Sequence, residues 1–351
     1  MNDKWLNFLV NNGGSLQDGS LLGFGDPESE IRATAGSDII SALTNMAVIR
    51  VSGEEAGVFL QNQFTNDVNA LNDGDSQLNA YCTPKGRMLV SFRIARLGND
   101  YFIYLPAELL DSTLKRLQMF ILITRATLED VSNEHCCIGI HGPNSTRMLS
   151  KYTASVPAAI NQVSRSGGLS IIRLAGQQHR YLISGPVEEC QALWLSMLKT
   201  HTPCGPNSCS YLDIQAGIAT IYTQTSEAFV PQMVNLQAVG GLSFTKGCYP
   251  GQEIVARMQY LGKLKRRMYL AHAECDIPPT PGDNLYAGTS GGNQAAGKIV
   301  DAQSAPQGGC DMLMVLQISV ADSGIPVHLN NPQGPTLIIN ELPYKVEVAD
   351  N

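Results

Sequence analysis

The chain has 351 residues, of which 44% are hydrophobic and 16% charged, and its net charge is −7 at pH 7. This length allows two or three domains with cores of their own, and the acidic balance argues against direct DNA binding. No stretch reaches the roughly 18–20 apolar residues that span a membrane, and the first residues, with Asp3 and Lys4, do not resemble a secretory signal. We therefore expect a cytoplasmic protein with no membrane partner.

The first part of the chain predicts a leader followed by an α+β domain. Residues 1–37 are rich in Gly, Ser, Asn and Asp and show little periodicity, so we expect them to be loosely ordered. Residues 38–132 alternate strand and helix patterns. The predicted strands are Ala47–Val51, Leu78–Cys82, Arg87–Arg96, Tyr101–Leu105 and Ala126–Val131, and the predicted helices are Glu54–Gln63 and Ala107–Met119.

A similar order recurs over residues 133–260 and indicates a second α+β domain. Ile140-His-Gly142 occupies a place equivalent to Val51-Ser-Gly53, which suggests an internal pseudo-repeat. Residues 261–351 alternate short apolar stretches with turn residues and predict a C-terminal β-barrel or sandwich. The predicted elements are strands at Cys137–His141, Leu169–Leu174 and Arg180–Ser184, helices at Asn144–Lys151 and Val187–Lys199, and tail strands at Met268–Ala273, Gly297–Ala302, Met312–Ile318 and Pro326–Leu329.

The nine cysteines form no regular framework, so we expect reduced thiols rather than disulfides. Cys204 and Cys209, with His201 nearby, are the only cluster that resembles a metal-ligand set. They lie among Pro and Gly in a predicted loop, and their spacing is looser than in most zinc sites. We therefore expect no metal site there.

Cys248 is the thiol with a reactive sequence context. Pro250 suits the first position of a helix, so Cys248 is predicted just before a helix N-terminus, two residues from Lys246. The helix dipole and the ammonium would both favour thiolate over thiol. The alternative is that Cys248 is a small buried hydrophobic residue, as most free cysteines are.

Two further features are open to a functional or a plain interpretation. Lys263, Lys265, Arg266 and Arg267, with Arg257 earlier, could hold an anionic ligand, but a solvated linker is the favoured interpretation. The run of amides from Gln61 to Asp67 could cap a helix end. It could also line a pocket that reads a heterocycle, because an amide matches both N–H and C=O edges. Gln232 and Asn235 could add to such a pocket.

Several common catalytic motifs are absent from the sequence. There is no phosphate-binding Gly-x-x-x-x-Gly-Lys-Ser/Thr loop, no Gly-x-Ser-x-Gly elbow, no His-Glu-x-x-His and no dinucleotide fingerprint that opens a helix. Nucleotide hydrolysis, serine hydrolase, zincin and Rossmann redox chemistry are therefore disfavoured.

Phe229-Val-Pro-Gln-Met-Val-Asn-Leu236 and Lys246-Gly-Cys-Tyr-Pro-Gly-Gln-Glu-Ile-Val-Ala-Arg257 resemble the YgfZ family of folate-binding proteins. The family is related to the aminomethyltransferase T-protein of the glycine cleavage system. The resemblance implies a three-domain ring of two ferredoxin-like α+β halves and a C-terminal β-barrel, with folate in a central channel. Supporting pieces are Phe59-Leu-Gln61, Thr65-Asn-Asp-Val68, Thr83-Pro-Lys-Gly-Arg87, Ile140-His-Gly-Pro143, Ala216-Gly-Ile218 and Leu342-Pro-Tyr344.

The resemblance also implies a role: support of iron–sulfur enzymes, including those that methylthiolate tRNA, with tetrahydrofolate or a derivative as cofactor. Cys248 would be the working thiol and Lys246 its activator. The implied partners are iron–sulfur client enzymes and assembly proteins, and any cluster would be transient and shared with a partner, because one thiol cannot supply about four ligands. The residues expected to bind the folate are Asn66, Asp67, Gln215, Gln232, Asn235, Tyr249, Gln252, Glu253 and Arg257.

Two positions at which this sequence differs from the T-protein bear on the choice between the iron–sulfur role and two other functions. The T-protein carries an acidic catalytic residue where this chain has Val90-Ser91, and Gln215 replaces a glutamate that grips the pterin in many relatives. A folate-dependent one-carbon transferase of aminomethyl type is therefore the second hypothesis, disfavoured by the missing base. A direct tRNA-binding module is the third, disfavoured by the acidic net charge.

Overall fold

The computed structural model describes residues 2–260, 262, 264–288 and 295–346. Within these residues the helices α1 to α9 are Asp3–Asn11, Pro27–Ala33, Ala56–Gln61, Leu110–Gln118, Ser145–Leu149, Val187–Met197, Pro206–Gln215, Gln252–Tyr260 and Ile318–Ser323. The strands β1 to β19 are Ser15–Gln17, Ser20–Gly23, Ile39–Ala42, Met46–Ser52, Ser76–Cys82, Met88–Leu97, Asp100–Pro106, Thr127–Asp130, His135–His141, Val163–Ser166, Leu169–Leu174, Arg180–Pro186, Thr202–Cys204, Arg266–Ala273, Asn284–Ala287, Gly297–Ser304, Cys310–Gln317, Val327–Leu329 and Thr336–Asn340.

The chain divides into two compact units, each made of several segments. The first unit comprises Met1–Ala56, Leu71–Gln77 and Arg93–Leu212, and the second comprises Gly57–Ala70, Leu78–Phe92 and Asp213–Asn351. These units differ from the three consecutive domains expected at 38–132, 133–260 and 261–351. That division stays a prediction. No helix among the described residues is both long and apolar enough to cross a bilayer.

The first unit contains the six-stranded sheet β10-β11-β12-β9-β3-β13, and the chain also forms a five-stranded sheet, β5-β6-β7-β4-β8. In the six-stranded sheet only the β13–β3 pair is parallel. The strands that the alternating apolar pattern predicts in both α+β halves are therefore present.

The leader expected to be loosely ordered is folded instead, and that expectation is wrong. Helix α1 begins after Asn2, whose side chain accepts a hydrogen bond from the backbone of Trp5 at 3.0 Å. Trp5 and Leu9 are buried in the core of the first unit, and the Trp5 ring meets Trp194 edge-on at 5.9 Å. The apolar stretch Trp5–Val10 is short, and its burial depends on a surface that residues distant in sequence, such as Trp194, supply.

The second unit contains the predicted barrel. Its strands close in the order β14-β17-β16-β15-β18-β19, and β19 pairs with β14. All of these pairs are antiparallel. Ala271, Ile299, Met312 and Leu316 belong to its buried core. The tail is therefore a closed barrel, one of the two all-β forms that the sequence predicts.

Helix α7 was not predicted. Its sequence follows the turn residues Pro203 and Gly205, which indicated a loop. Pro206 is instead its first residue, where the missing N–H costs nothing. Cys209 lies within this helix. A helix without a clear apolar stripe is invisible to periodicity and forms here through tertiary contacts.

Replacing Trp5 tests whether the N-terminal helix is part of the core. Trp5→Ala should lower the free energy of unfolding by about 3–5 kcal/mol, because it leaves a cavity beside Trp194. Val10→Ala is the matched control, since Val10 is 39% exposed on the same helix, and it should change stability by less than about 0.5 kcal/mol. Urea unfolding followed by tryptophan fluorescence and circular dichroism measures both. Equal, small effects would show that the leader does not contribute to the core.

Candidate functional site

Cys248 lies in the loop that leads into helix α8 of the second unit. All nine cysteines fall within the described residues, and Cys248 is the exposed one. The alternative prediction, that Cys248 is a buried hydrophobic residue, is therefore wrong. The loop on both sides of it is held by two separate contacts within the same unit.

The first contact is made by Lys246. Its side chain is buried, and its ammonium donates hydrogen bonds to the carbonyl oxygens of Gln61 at 2.6 Å, Phe64 at 2.6 Å and Asn66 at 2.9 Å. Burial lowers the pKa of Lys246 to about 8, while the Asp67 carboxylate opposes this shift. The amine is therefore protonated at neutral pH, as three carbonyl acceptors require.

The predicted role of Lys246 as activator of Cys248 stays a prediction. An ammonium has three N–H donors, and three backbone carbonyls of the 61–66 segment accept them. The structure therefore assigns Lys246 an anchoring function for the loop. Any effect of Lys246 on Cys248 in this conformation would have to act through its charge.

The second contact joins Gly251 to the Thr83–Gly86 turn. Gly251 has φ +86°, and a Cβ at this position would lie 2.5 Å from the Thr83 carbonyl oxygen and 2.6 Å from the Gly86 Cα atom. The turn is closed by a hydrogen bond from the Gly86 N–H to the Thr83 carbonyl at 2.9 Å. The two backbones approach so closely that only glycine fits between them.

The same glycine corrects the predicted helix start. Helix α8 begins at Gln252 and not at Pro250, because the positive φ of Gly251 is incompatible with a helical turn through Pro250. The Gln252 N–H donates to the Tyr249 carbonyl at 3.1 Å. The helix thus begins two residues later than expected, and Cys248 lies four residues before its first residue.

The polar run at 61–67 is satisfied internally. The Gln61 amide donates to Asp67 Oδ1 at 3.0 Å, and Gln61 Oε1 accepts from the Val68 N–H at 2.7 Å. Asn66 Nδ2 donates to the Gly240 carbonyl at 2.7 Å. These side chains shape the segment whose carbonyls receive Lys246.

Thr65 and Ser243 support this arrangement and were not predicted as site residues. The Thr65 hydroxyl donates to the Gly241 carbonyl at 2.8 Å and accepts from the Ala80 N–H at 2.9 Å. Ser243 Oγ accepts from the Lys246 N–H at 3.2 Å. No sequence signal indicates these contacts, because Thr65 and Gly241 are 176 positions apart.

Three of the predicted cofactor residues carry buried acceptor atoms that have no hydrogen-bond partner among the described residues. They are Gln232 Oε1, Asn235 Oδ1 and the Tyr249 hydroxyl oxygen. The amide nitrogens of Gln232 and Asn235 are engaged, with the Val255 carbonyl at 2.7 Å and the Met268 carbonyl at 3.1 Å. Buried polar atoms are rarely left unpaired, so these oxygens are the unsatisfied acceptors of the predicted set, and their role in binding a cofactor stays a prediction.

The side-chain amides of Gln215 and Gln252 donate hydrogen bonds to other residues of the protein. Gln215 Nε2 donates to Asp311 Oδ2 at 2.8 Å, and Gln252 Nε2 donates to the Lys246 carbonyl at 3.2 Å. A glutamate at position 215 would face the Asp311 carboxylate, so an amide suits this place. The other two predicted cofactor residues, Glu253 and Arg257, are exposed on helix α8.

Ser91, at the place where the resemblance to the T-protein implied a missing acid, is bound to the backbone on both sides. Ser91 Oγ donates to the Ala219 carbonyl at 3.0 Å and accepts from the Ile221 N–H at 3.0 Å. Val90 is fully buried. No acid of the T-protein type stands at these two residues, and the serine hydroxyl is committed to the backbone.

The remaining candidates do not form a site in the described part of the chain. No group of three or more His, Cys, Asp or Glu residues there could hold a metal ion, and Cys204 and Cys209, where we expected no metal site, lie at β13 and in α7. Lys263 lies outside the described residues. The Arg267 guanidinium stacks over the Tyr269 ring at 5.0 Å on strand β14.

Comparison with known proteins gives the class of fold. The family described as the GCVT N-terminal domain matches residues 24–172. The crystal structure of glycine cleavage system aminomethyltransferase T from Bartonella henselae superposes with a TM-score of 0.76, covering 97% of this chain and 96% of its own, at 15% sequence identity. The chain therefore has the aminomethyltransferase T fold, as the resemblance implied.

Curated relatives define the family within that class. The tRNA-modifying protein YgfZ of Colwellia psychrerythraea strain 34H is 32% identical over 305 residues, which cover 86% of this chain and 92% of the relative. The protein of the same name from Yersinia pestis strain Pestoides F is 28% identical over 305 residues, which cover 87% and 92%. The chain belongs to the YgfZ family.

The close approach at Gly251 gives a test of the loop anchor. Gly251→Ala should lower the free energy of unfolding by about 2–4 kcal/mol, because the added Cβ strains a left-handed residue and displaces the Thr83–Gly86 turn. Gly247→Ala is the matched control, since a Cβ there meets nothing within 4 Å, and it should be neutral within about 0.5 kcal/mol. Denaturant unfolding and the rate of Cys248 alkylation report stability and loop order. Equal effects of the two substitutions would contradict the anchor.

Proposed function

We propose that this protein is a folate-binding factor that supports the assembly or repair of iron–sulfur enzymes, with an indirect effect on tRNA methylthiolation. The observation that carries the proposal is the single exposed thiol, Cys248, on a loop held by the buried Lys246 ammonium and by Gly251. A thiol presented in this way is accessible to a protein-sized partner while its backbone stays in place. Membership of the YgfZ family supports the same role.

Cys248 can bond to iron, to an oxidised sulfur or to a client thiol. A stable cluster normally requires about four protein ligands, and no three-ligand group occurs in the described part of the chain. Any cluster would therefore be transient and shared with a partner. The partners we propose are iron–sulfur client enzymes and assembly proteins, and the proposed location is the cytoplasm, where thiols remain reduced.

The proposed cofactor is tetrahydrofolate or a derivative. The unpaired buried oxygens of Gln232, Asn235 and Tyr249 fit a heterocycle rich in N–H donors. When bound, tetrahydrofolate supplies one-carbon chemistry at its ring nitrogens. The amides of Gln61, Asn66 and Gln215 contribute less directly, because they already donate within the protein.

A one-carbon transferase of aminomethyl type is the second candidate, favoured by the fold shared with aminomethyltransferase T. Such a reaction needs a base at the folate amine. Ser91 stands in the corresponding place, and its hydroxyl is hydrogen-bonded to backbone on both sides. Support of iron–sulfur enzymes is therefore the preferred function.

Complementation tests the role of the thiol. A bacterial strain that lacks its own YgfZ-type gene should recover tRNA methylthiolation when supplied with this protein, and should not recover it with Cys248→Ser at matched expression. Cys209→Ser is the control, because Cys209 is a half-buried cysteine of helix α7 and should rescue fully. Equal rescue by wild type and Cys248→Ser would reject Cys248 as the working thiol. Failure of the wild type itself would favour the transferase.

Tyr249→Phe tests the folate site separately. It removes a buried hydroxyl that has no partner in the described part of the chain, so stability should stay constant or rise. Loss of one hydrogen bond to the ligand should weaken tetrahydrofolate binding about 3–10-fold, as measured by titration calorimetry. Tyr152→Phe, in the first unit, is the control and should bind as the wild type does. Unchanged affinity in Tyr249→Phe would exclude this hydroxyl from the folate site.

A further inference from the structure

In two pairs of cysteines the thiol of one residue donates to the backbone carbonyl of the other, Cys190 to Cys136 at 3.8 Å and Cys310 to Cys275 at 3.3 Å, and the pairs differ in access to solvent. Cys136 and Cys190 are both buried in the core of the first unit, with 3% and 0% of their surface exposed. Cys310 is also 0% exposed, but its neighbour Cys275 is partly exposed. Solvent can therefore reach one sulfur of the second pair.

The barrel holds Cys275 and Cys310 together. Cys310 begins strand β17 and pairs with Ala273, the last residue of β14, so Cys275 follows two residues beyond the end of this ladder. Cys310 Sγ lies 3.3 Å from the Cys275 carbonyl oxygen, to which it donates. Cys275 also packs against the barrel core. A thiol that already touches the backbone of the partner cysteine can be bridged to that cysteine with little backbone movement.

We propose that Cys275 and Cys310 form a reversible disulfide when the protein meets a hydroperoxide. The Cys275 thiolate attacks the peroxide, the O–O bond breaks, and Cys275 becomes a sulfenic acid while water or an alcohol leaves. The Cys310 sulfur then displaces the sulfenic oxygen, which leaves as water as the S–S bond forms. In total the two thiols lose two electrons and two protons, and the peroxide takes up these electrons and protons.

The order of the two steps follows from the surroundings of each sulfur. Cys275 reacts first because an oxidant can reach it. Burial raises the pKa of Cys310 well above its ordinary range, with Cys275, Asp311 and Asp276 adding to the shift. Cys310 is therefore a poor first nucleophile, but it stands next to the sulfenic acid that it must meet. The bond would cross-link the ends of β14 and β17 and protect Cys275 from irreversible oxidation.

Peptide mapping tests this modification site. The reduced full-length protein, carrying Cys248→Ser so that the exposed thiol does not interfere, is treated with hydrogen peroxide, alkylated under denaturing conditions and digested. Mass spectrometry should find the Cys275 and Cys310 peptides linked with the loss of two hydrogens, and dithiothreitol should separate them. The midpoint of thermal unfolding should rise by several degrees on oxidation and return on reduction.

The Cys136–Cys190 pair is the internal control, because the Cys190 thiol likewise donates to the carbonyl of its partner but both residues are closed to solvent. These two cysteines should remain free to react with the alkylating reagent. Cys275→Ser should abolish the cross-link and the rise in the unfolding midpoint. Sulfinic acid at Cys275 without a cross-link, or preferential linkage of Cys136 to Cys190, would overturn the proposal. If Cys275→Ser folds poorly, the peptide map of the protein that carries only Cys248→Ser still shows whether Cys275 and Cys310 are linked.

Discussion

The buried ammonium of Lys246 is the interaction on which the candidate site depends. A charged group is expensive to bury unless its donors are satisfied, and here three backbone carbonyls of the 61–66 segment satisfy them. The same segment is held from the other side by Thr65, Gln61 and their partners. The carbonyls can face the amine only when both pieces of chain are in place, so the loop of Cys248 forms together with the rest of the second unit.

Gly251 supplies the complementary constraint, because it allows backbone to touch backbone. The turn at Thr83–Gly86 and the loop before helix α8 approach more closely than any side chain would permit. A charge at one end of the loop and a glycine at the other leave Gly247 and Cys248 exposed between them. This explains how a thiol can be both accessible and well positioned, which a reaction with another protein requires.

The chain shares the fold of aminomethyltransferase T. At the two positions where the resemblance implied departures from that protein, the Ser91 hydroxyl is bonded to the backbone and the Gln215 amide donates to Asp311. The side chains of Ser91 and Gln215 are both hydrogen-bonded within the protein. Each therefore has a structural role at its position. The buried acceptors of Gln232, Asn235 and Tyr249 have no partner among the described residues and are the groups we propose for ligand binding.

The sequence by itself determined the elements with strong periodicity, such as strands β6 and β17, and it determined that Cys248 precedes a helix, because these properties depend on neighbouring residues. It did not reveal the folded leader, helix α7 or the helix start at Gln252. Nor did it show that Asn66 and Gln215 are bonded within the protein and that Lys246 acts as an anchor. Only the tertiary structure decided these points, because the partners are distant in sequence: Lys246 and Gln61 are 185 positions apart. The burial of Lys246, the carbonyl acceptors around it and the close backbone approach at Gly251 arise only when segments distant in sequence meet.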